Sequence, residues 1–586
     1  MGLAAESLRE IDTLVTDPVG RVIDLFPGIG RFRGRKEYTP QEEIILGHFF
    51  TNTRSNVYAA TDNLPGELRA LLLGQYARSQ ATGRDRLLKL FRDMEKAEEI
   101  NLDEFASAIE SNKETGGVIN LAEERAARFI DKHGGGVEGY GHASLRDSAT
   151  VCLFFEGASQ RATKELESSR LGAYQEQSTR AIPFTEKNLG VPYEIRGTEW
   201  EEKVAQLDLK LISLYQQVNE RMIPYLENNF SHLRTEADER MRERWGSNFQ
   251  QVSDRTWESS LKAKGFDVAR SLLPQNMTTS LGMVLNTRCF QDQLTAWQSH
   301  PIKEVRALGR AAQLEASKVS PNLLKYGEPS EFYLGLPENL RTLYGEVMST
   351  QPHSEPYAHK DPTSRMVGAD PNLESKVLAS ILLNSSHGRH NFKDLIRRVN
   401  GLPPSKRKEI AQAAMAEKGQ HDLYPKLVEV GSVTFERDYD IGSFRDLQRQ
   451  RGDTQQRCRY GTHGYQMPPE IAEIGLEKEF IGLMGEVKTL YNQMLDAGLN
   501  SAAEYLPVMA NRIRHVVTED LAQVAYVAGL RTQPAGHDSY RAIAIQETEQ
   551  ALTLLPAFRD LITFDSKETY TLGRLEEHIL KSRPAK

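Results

Sequence analysis

Residues 154–180 read FFEGASQRATKELESSRLGAYQEQSTR, and residues 435–460 read FERDYDIGSFRDLQRQRGDTQQRCRY. Each stretch follows a short run of β-type residues and precedes long amphipathic helical patterns. Pairing Ser168 with Arg449 sets an offset of 281 residues, and Leu273-Pro274 pairs with Leu506-Pro507 at an offset of 233. Few residues are identical, so order and spacing carry the comparison. They predict two divergent copies of one unit, called repeat one and repeat two below.

The regions around these stretches set the predicted domains. Residues 64–99 place Leu and Phe at helical intervals between charges, and residues 1–125 are predicted to form a helical N-terminal extension. Repeat one is expected at 126–325 and repeat two at 373–586. Between them, residues 326–372 are rich in Pro, Ser and Gly, a composition typical of a linker.

The composition is that of an ordinary globular protein. Of 586 residues, 39% are hydrophobic and 26% are charged, which excludes collagen-like, low-complexity and wholly disordered proteins. The net charge of -8 argues against bulk nucleic acid as the main partner. The three cysteines and the histidines show no ligand spacing, so no metal site is expected. The first residues lack the basic-then-apolar order of a signal peptide, and no apolar run comes near the roughly 20 residues of a membrane span, so we expect a cytoplasmic protein.

Short motifs in repeat one resemble those of a known family. In chain order they are Gly141-His142-Ala143-Ser144, Arg170, Glu176, Ser178, Arg180, Arg270 before Leu273-Pro274, and Asn286-Thr287-Arg288. They resemble the flavin-dependent thymidylate synthases, whose signature reads R-H-R-x-x-S-x-N-E-x-S-x-R. In that family a G-H-x-S/T element precedes the signature, and A-R-x-x-L-P, N-x-R and L-R elements follow it. The resemblance covers roughly residues 135–310 and 420–545.

The two repeats keep different parts of this pattern. The positions that repeat one has lost are held by Ser168, Ser169, Gln175 and Trp297. Repeat two keeps the leading and late arginines, which are Arg449, Arg451 and Arg531. Its lost positions are held by Arg457, Arg459, Tyr460, Ala503, Asp520 and Ala522. Neither repeat has the glutamine expected three residues before the signature, where Glu165 and Asp446 stand.

Because the losses are complementary, we expect composite sites between unlike repeats, with the opposite interfaces degenerate. Members of the family are tetramers whose sites lie between subunits, so the resemblance implies a homodimer that forms a pseudo-tetramer. It also implies an α/β protein made of two tandem copies of the flavin-dependent thymidylate synthase fold, a sheet flanked by long helices. The implied reaction is methylation of dUMP to dTMP, with FAD as cofactor and with methylenetetrahydrofolate and NADPH as co-substrates.

The resemblance assigns roles that suit the chemistry of the residues. Guanidinium groups bind phosphate oxygens bidentately, so Arg180 and Arg270, with the Ser178 hydroxyl, are the predicted phosphate residues. Glu176 is expected to accept from a ribose or base donor, and Arg449 and Arg531 complete the predicted substrate residues. A buried cation stabilises negative charge on a uracil carbonyl, so Arg531, with Ser178, is the predicted catalytic group. The predicted flavin residues are His142, Ser144, Asn286, Arg288, Arg449 and Arg451.

Other interpretations stay open. In one alternative, the chain is a flavoenzyme whose substrate is a uracil nucleotide other than dUMP. In a second, the chain is a degenerate paralogue that binds a nucleotide or flavin and acts as a scaffold or regulator. Individual residues also have ordinary explanations: the arginine-dense segment 444–451 as a solvated helix face, Ser178 as a helix cap, and Arg531 as a charge at a helix C-terminus.

Overall fold

The computed structural model describes residues 38–53, 58–76, 81–134, 143–324, 327–348, 361–419 and 422–584. Within these ranges the chain forms helices and two small sheets. The first sheet has the strand order β1-β3-β2, and the second has the order β4-β5-β7-β6. The predicted α/β class is confirmed.

The strands are β1 (Thr150–Ser159), β2 (Ala173–Glu176), β3 (Thr278–Asn286), β4 (Thr363–Ala369), β5 (Val433–Asp440), β6 (Thr454–Arg457) and β7 (Arg512–Glu519). The helices up to β3 are α1 (Pro40–Phe49), α2 (Gly66–Tyr76), α3 (Gly83–Lys96), α4 (Leu102–Glu110), α5 (Gly116–Gly134), α6 (Gln160–Leu166), α7 (Glu199–Phe230), α8 (His232–Trp245) and α9 (Asp254–Ala269).

The helices between β3 and β5 are α10 (Thr287–Gln298), α11 (Lys303–Val319), α12 (Glu331–Met348), α13 (Leu373–Asn384), α14 (Phe392–Asn400) and α15 (Pro404–Met415). The remaining helices are α16 (Ile441–Leu447), α17 (Pro469–Glu473), α18 (Glu477–Asp496), α19 (Asn500–Ala503), α20 (Leu521–Arg531), α21 (Asp538–Leu554) and α22 (Gly573–Lys581).

The chain divides into two compact units. The first consists of Met1–Leu153, Met283–Ser299 and Ala307–Tyr333. Its described N-terminal part is helical, and α1 to α5 bury a common core that includes Ile45, Leu68 and Phe91. Residues 1–37 of the predicted N-terminal extension lie outside the described residues.

The second unit consists of Phe154–Gly282, His300–Arg306 and Leu334–Lys586, so it holds material from both repeats. Its largest core packs α7 of repeat one against α18 of repeat two. The fully buried residues Leu211 and Phe480 represent the two helices there. The two repeats therefore share one hydrophobic core within this unit.

Matched local structure supports the duplication. Helices α6 and α16, and strands β2 and β6, begin and end at residues separated by the same offset of 281. Helix α6 is capped by Ser159, whose hydroxyl accepts from the Ala162 N–H, and α16 is capped by Asp440, whose carboxylate accepts from the Ser443 N–H. Both caps satisfy a backbone donor that a helix N-terminus leaves open. The caps occupy equivalent positions of the two repeats.

Backbone hydrogen bonds around a pseudo-twofold axis also recur. The Arg161 N–H donates to the Gln275 carbonyl at 2.9 Å, and the Gly442 N–H donates to the Met509 carbonyl at 3.0 Å. Between the repeats, the Gln275 N–H donates to the Pro507 carbonyl at 3.2 Å, and the Met509 N–H donates to the Leu273 carbonyl at 3.0 Å. The predicted tandem arrangement is thus visible in the backbone.

Part of the segment predicted as a linker is structured. Residues 363–369 form β4, which pairs antiparallel with β5 and places Thr363 opposite Asp438. The neighbouring helix α12 also lies in the predicted linker. The prediction was wrong about β4 because composition alone does not show pairing with a distant strand. The Ser364 hydroxyl on β4 donates to the buried Glu547 carboxylate at 2.7 Å.

Candidate functional site

The predicted substrate residues meet between the two repeats, in the second unit. We call this place the Arg270 corner, and its members are Glu176, Ser178, Arg180, Asp267, Arg270, Gly442, Arg445, Asp446, Arg449, Arg531 and Tyr540. Repeat one supplies the end of β2, the loop after it and the end of α9. Repeat two supplies α16 and the residues just after it, the last residue of α20 and the first turn of α21.

Arg180 bridges the two repeats. Its Nε and Nη2 atoms donate to the two oxygens of Asp267 at 2.5 and 2.6 Å. Its Nη1 atom donates to the Tyr540 hydroxyl at 3.2 Å, and Nη2 also donates to the Ala535 carbonyl at 3.0 Å. The Ser178 hydroxyl accepts from the Arg180 N–H at 3.2 Å and so shapes the loop that carries this arginine.

Arg531 reaches the same residues from repeat two. Its guanidinium carbon lies 5.5 Å from the centre of the Tyr540 ring, whose hydroxyl accepts from Arg180. Its Nη2 atom donates to the Asp446 carbonyl at 2.6 Å. Two arginines from distant parts of the sequence therefore share one tyrosine.

Arg270 lies at the base of the corner. It is 3% exposed, and its Nη1 atom is 3.5 Å from Asp446 Oδ2. Among the described residues, neither Arg270 Nη2 nor Asp446 Oδ2 has a hydrogen-bond partner. Buried polar atoms normally have one. This guanidinium and this carboxylate therefore keep a donor and an acceptor for a ligand.

Asp446 lies among four guanidinium groups. Burial acts to raise the pKa of its carboxyl, but Arg270, Arg180, Arg531 and Arg449 outweigh burial and lower that pKa. The carboxylate is therefore charged at neutral pH. Sequence reasoning noticed Asp446 as a departure from the family pattern but gave it no role.

Glu176 links the two repeats electrostatically. Its fully buried carboxylate pairs with Lys164 Nζ at 2.8 Å, with Arg449 Nη2 at 3.3 Å, and with Arg445. Burial alone raises the pKa of Glu176, but Arg445, Lys164 and Arg449 hold it below its ordinary value. The carboxylate predicted to contact the substrate is thus an ion-pair centre between the repeats.

The predicted flavin residues fall in both units. In the second unit, Arg449 is 37% exposed, and Arg451 Nη2 donates to the Gly172 carbonyl at 2.9 Å. In the first unit, the Asn286 side chain caps α10 by accepting from the Cys289 N–H at 2.8 Å. There, Arg288 Nη1 lies 3.2 Å from Asp147, and Ser144 lies in a short 3-10 helix. His142 lies outside the described residues.

A cavity of about 90 Å³ opens beside Arg270. Its lining includes Lys264, Asp267, Gly442 and His537, from both repeats. Lys264 Nζ is 2.6 Å from Glu470 and 3.4 Å from Asp538. Burial, aided by Arg270, lowers the pKa of His537, so this histidine is neutral at neutral pH. No sequence motif indicated Lys264 or His537.

A second corner lies at the equivalent place between the repeats, where repeat one supplies its α6 region and repeat two supplies its β6 region. We call it the Arg161 corner, and its members are Arg161, Glu165, His300, Arg457, Arg459 and Glu504. Arg161 is equivalent to Gly442, and Ala503 is equivalent to Arg270. The arginine at the base of each corner therefore comes from a different position of the repeat.

Arg161 is held by two carboxylates. Its Nε and Nη2 atoms donate to Glu504 at 3.0 and 2.8 Å, and Nη1 donates to Glu165 at 2.5 Å. Arg457 also pairs with Glu165, and His300 Nε2 lies 3.7 Å from it. In the other corner a Cβ on Gly442 would lie 3.7 Å from the guanidinium carbon of Arg270. A large side chain is thus accommodated in one corner, whereas in the other it would contact the guanidinium of Arg270.

Two further findings bear on the predicted chemistry. In the described part of the chain, no group of three or more His, Cys, Asp or Glu residues is placed to hold a metal ion. Over the same residues, no helix is both long enough and apolar enough to cross a membrane.

Trp297, which stands where repeat two has Arg531, is buried in the first unit and packs edge-on against Phe290.

Known proteins resemble this chain over different lengths. A UPF0159 protein of Chlamydia muridarum is 27% identical over 555 residues, covering 92% of this chain and 98% of the relative. A flavin-dependent thymidylate synthase of Clostridium tetani is 21% identical over 218 residues, covering 36% of this chain and 74% of the relative. A solved UMP/dUMP methylase of Streptomyces cacaoi is 14% identical, covers 36% of this chain and 98% of its own, and has a TM-score of 0.28.

The family model described as thymidylate synthase complementing protein matches residues 90–322 and 376–557. These two segments overlap most of the two predicted repeats, 126–325 and 373–586, and cover most of the chain. The resemblance inferred from the motifs is thereby confirmed. The chain belongs to the thymidylate synthase complementing protein family and carries two segments of its fold in tandem.

Proposed function

We propose that this chain is an enzyme that methylates C5 of a uracil nucleotide, converting dUMP to dTMP in the Arg270 corner. Methylenetetrahydrofolate would supply the one-carbon unit and NADPH the reducing equivalents. The observation that carries the proposal is the meeting of Arg180 and Arg270 from repeat one with Arg531 from repeat two around Asp446 and Tyr540. Relatives named flavin-dependent thymidylate synthase add support.

The charges of the corner suit a phosphate monoester. The cations of the Arg270 corner are Arg180, Arg270, Arg445, Arg449 and Arg531, and its carboxylates are Glu176, Asp267 and Asp446. Two positive charges are left over. A nucleoside monophosphate carries up to two negative charges at neutral pH. Arg270, whose Nη2 atom has no hydrogen-bond partner among the described residues, would bind the phosphate, and Arg180 would join it by exchanging its Asp267 pair for phosphate oxygens.

Arg531 would act on the base. When C5 of uracil becomes nucleophilic, negative charge develops on the ring carbonyl oxygens. A fixed cation in a site shielded from water stabilises such charge strongly. The contacts of Arg531 with the Asp446 carbonyl and the Tyr540 ring fix its position before the substrate binds. Ser178 would assist by keeping the Arg180 loop in its conformation.

FAD is the cofactor that we propose, and the donor set of repeat two fits it. Arg449 is partly exposed, and Arg451 donates to the Gly172 carbonyl through Nη2, so guanidinium donors remain for a pyrophosphate. On the motif resemblance alone, Ser144, Asn286 and Arg288, with His142, are also proposed as flavin residues. A bound flavin supplies the hydride chemistry, so no nucleophile from the protein is required.

The test is an activity assay on the full-length protein. Purified protein with FAD, dUMP, methylenetetrahydrofolate and NADPH is expected to form dTMP, measured by chromatography. Arg531→Ala should lower the rate at least about 100-fold, the cost of losing one stabilising donor. The matched control is Arg459→Ala in the Arg161 corner, where the side chain is 50% exposed and 3.7 Å from Glu504.

Two outcomes would contradict the proposal. The first is the absence of any 5-methylated uracil nucleotide when the protein is fully loaded. The second is equal loss of activity in both variants. Rescue of a thymidine-requiring strain by the wild-type chain, but not by Arg531→Ala, tests the same reaction in cells.

One observation favours a second candidate, a nucleotide-binding or flavin-binding regulator without turnover. Both oxygens of Asp267 already occupy the fork of Arg180, as a bound phosphate would. Tight dUMP or FAD binding with no product would favour this regulator. Methylation of UMP but not dUMP would favour another uracil nucleotide as the substrate.

A further inference from the structure

Helix α12, Glu331–Met348, has an exposed apolar face. Among the described residues, none of its side chains is buried. Large apolar side chains are exposed along its length, for example Phe332 at 67%, Leu340 at 55% and Val347 at 71%. The helix lies between the two segments that match the family model, so it is an addition to the family fold. Such a contiguous apolar patch normally marks a binding surface.

The spacing of this face indicates a helix as its partner. Apolar residues recur at alternating steps of three and four, at Tyr333, Leu336, Leu340, Leu343 and Val347. This is the seam pattern of packed helix pairs. Leu334 is also exposed, at 44%, but it lies off the seam.

The pattern is also symmetric about Leu340. Apolar residues occur three, four, seven and eight positions to either side, in the pairs Pro337 and Leu343, Leu336 and Tyr344, Tyr333 and Val347, and Phe332 and Met348. Two identical helices that cross antiparallel at Leu340 therefore place an apolar residue opposite an apolar residue at every step. A twofold interface requires this self-complementarity, because each patch must fit its own copy.

We propose that α12 binds α12 of a second copy of this chain, antiparallel, with the twofold axis at Leu340. The exposed parts of the seam residues, together with those of the flanking Phe332, Tyr344 and Met348, amount to roughly 700 Å² per copy, since a buried aromatic side chain contributes about 150–250 Å². A stable interface needs about 800 Å² per partner. The face is therefore close to the size that a dimer requires.

The charges favour a protein partner. The polar side of α12 carries Glu331, Glu338 and Glu346 against Arg341, a net negative charge. Helices that lie on anionic membranes are usually rich in Lys and Arg on their polar side. The acidic side thus argues against a lipid surface as the occupant. This inference does not depend on the proposed enzymatic activity.

The native mass of the full-length protein tests the proposal. Leu340→Glu places two like charges together on the axis, so it is expected to weaken self-association at least about 100-fold. The native mass measured by light scattering should then halve at micromolar concentration. The matched control, Leu334→Glu, adds the same charge to the same helix off the seam and should keep the wild-type mass.

Cross-linking tests the geometry. Leu340→Cys should form a disulfide-linked dimer under mild oxidation, because the two residues face each other on the axis. Leu334→Cys should cross-link no faster than the wild type, whose own three cysteines set the background. A wild-type monomer, an unchanged mass for Leu340→Glu, or equal cross-linking of both cysteine variants would each overturn the proposal. Vesicle binding by the wild type that Leu340→Glu abolishes, without a change in mass, would point to a lipid surface instead.

Discussion

The Arg270 corner and the Arg161 corner lie at equivalent places of the two repeats, yet each has its arginine at a different position. In the first, Gly442 leaves space beside Arg270 and a cavity opens. In the second, Arg161 stands at the position of Gly442 and is held by Glu165 and Glu504. The same fold thus forms a polar pocket in one place and a buried ion-pair cluster in the other.

The comparison shows that equivalent corners of a duplicated fold can differ in role, one holding the repeats together and the other keeping a donor for a ligand. Arg161 is 2% exposed and fully paired, so its charge binds the repeats together. Arg270 is also buried, but one of its nitrogens has no hydrogen-bond partner among the described residues. Pairing within the protein distinguishes a structural arginine from one that can receive a ligand.

The largest expected effect is on stability in the Arg161 corner. Arg161→Gly removes the cation between Glu165 and Glu504 and leaves both carboxylates buried with less charge compensation. Breaking a buried pair in this way costs about 3–5 kcal/mol. Chemical denaturation of the full-length protein measures the loss. Arg459→Gly, at a half-exposed arginine of the same corner, should cost less than about 1 kcal/mol. Equal losses would show that the Arg161 corner does not depend on Arg161.

The next largest effect is expected from placing an arginine in the Arg270 corner at the position where the Arg161 corner has Arg161. Gly442→Arg places a long side chain where a Cβ already lies 3.0 Å from Asp440 and 3.7 Å from the guanidinium carbon of Arg270. We expect dUMP affinity, measured by calorimetry, to fall at least about 100-fold, or about 2.7 kcal/mol. The control is Gly485→Arg, where an added Cβ meets nothing within 4 Å. Unchanged affinity in Gly442→Arg would place the ligand elsewhere.

A pH effect is expected in the Arg161 corner. Burial is the main cause that lowers the pKa of His300 to about 4, below its ordinary value of 6.5. Between these values the unfolded chain binds more protons than the folded chain, so stability rises with pH across this window and is level above it. His300→Asn keeps an acceptor for the Ile302 N–H and should remove up to about 3 kcal/mol of this pH dependence. The free energy of unfolding at pH 4.5 and pH 7 checks it, and an unchanged difference between wild type and variant would contradict it.

The smallest effect concerns Asp446. Its carboxylate competes with a bound phosphate for four arginines. Asp446→Asn should therefore bind dUMP about 3–10-fold more tightly, and the gain should shrink at high salt because screening weakens charge interactions. Glu165→Gln, the equivalent change in the Arg161 corner, should leave dUMP affinity as in the wild type. Weaker binding by Asp446→Asn would instead assign the carboxylate to direct contact with the base.

The sequence predicted the fold and part of the site. The order and spacing of the motifs revealed the two repeats, because duplicated units keep the order and spacing of their elements longer than they keep identical residues. The family match confirmed the repeats. The motif residues Arg180, Arg270 and Arg531 could be named for the same reason. Sequence reasoning could not show that Arg180 contacts Tyr540 or that Arg270 contacts Asp446, since each of these contacts joins residues of different repeats.

Other features could not be inferred because they depend on folded neighbours. Asp267 matches no motif, yet it holds the fork of Arg180. Glu176 matched the motif, but its oxygens face Lys164, Arg445 and Arg449, which only the packing of the repeats brings together. The assignment of the flavin residues stays a prediction.

The backbone bonds between the Leu273–Gln275 and Pro507–Met509 loops have a consequence for how the protein behaves on dilution. Were the two repeats separate polypeptides, the Arg270 corner would dissociate at low concentration. On a single chain, each repeat meets the other at a fixed effective concentration, typically on the order of millimolar for a tethered pair. Occupancy of this pocket by a ligand should consequently show no dependence on protein concentration, even at nanomolar levels in a cell.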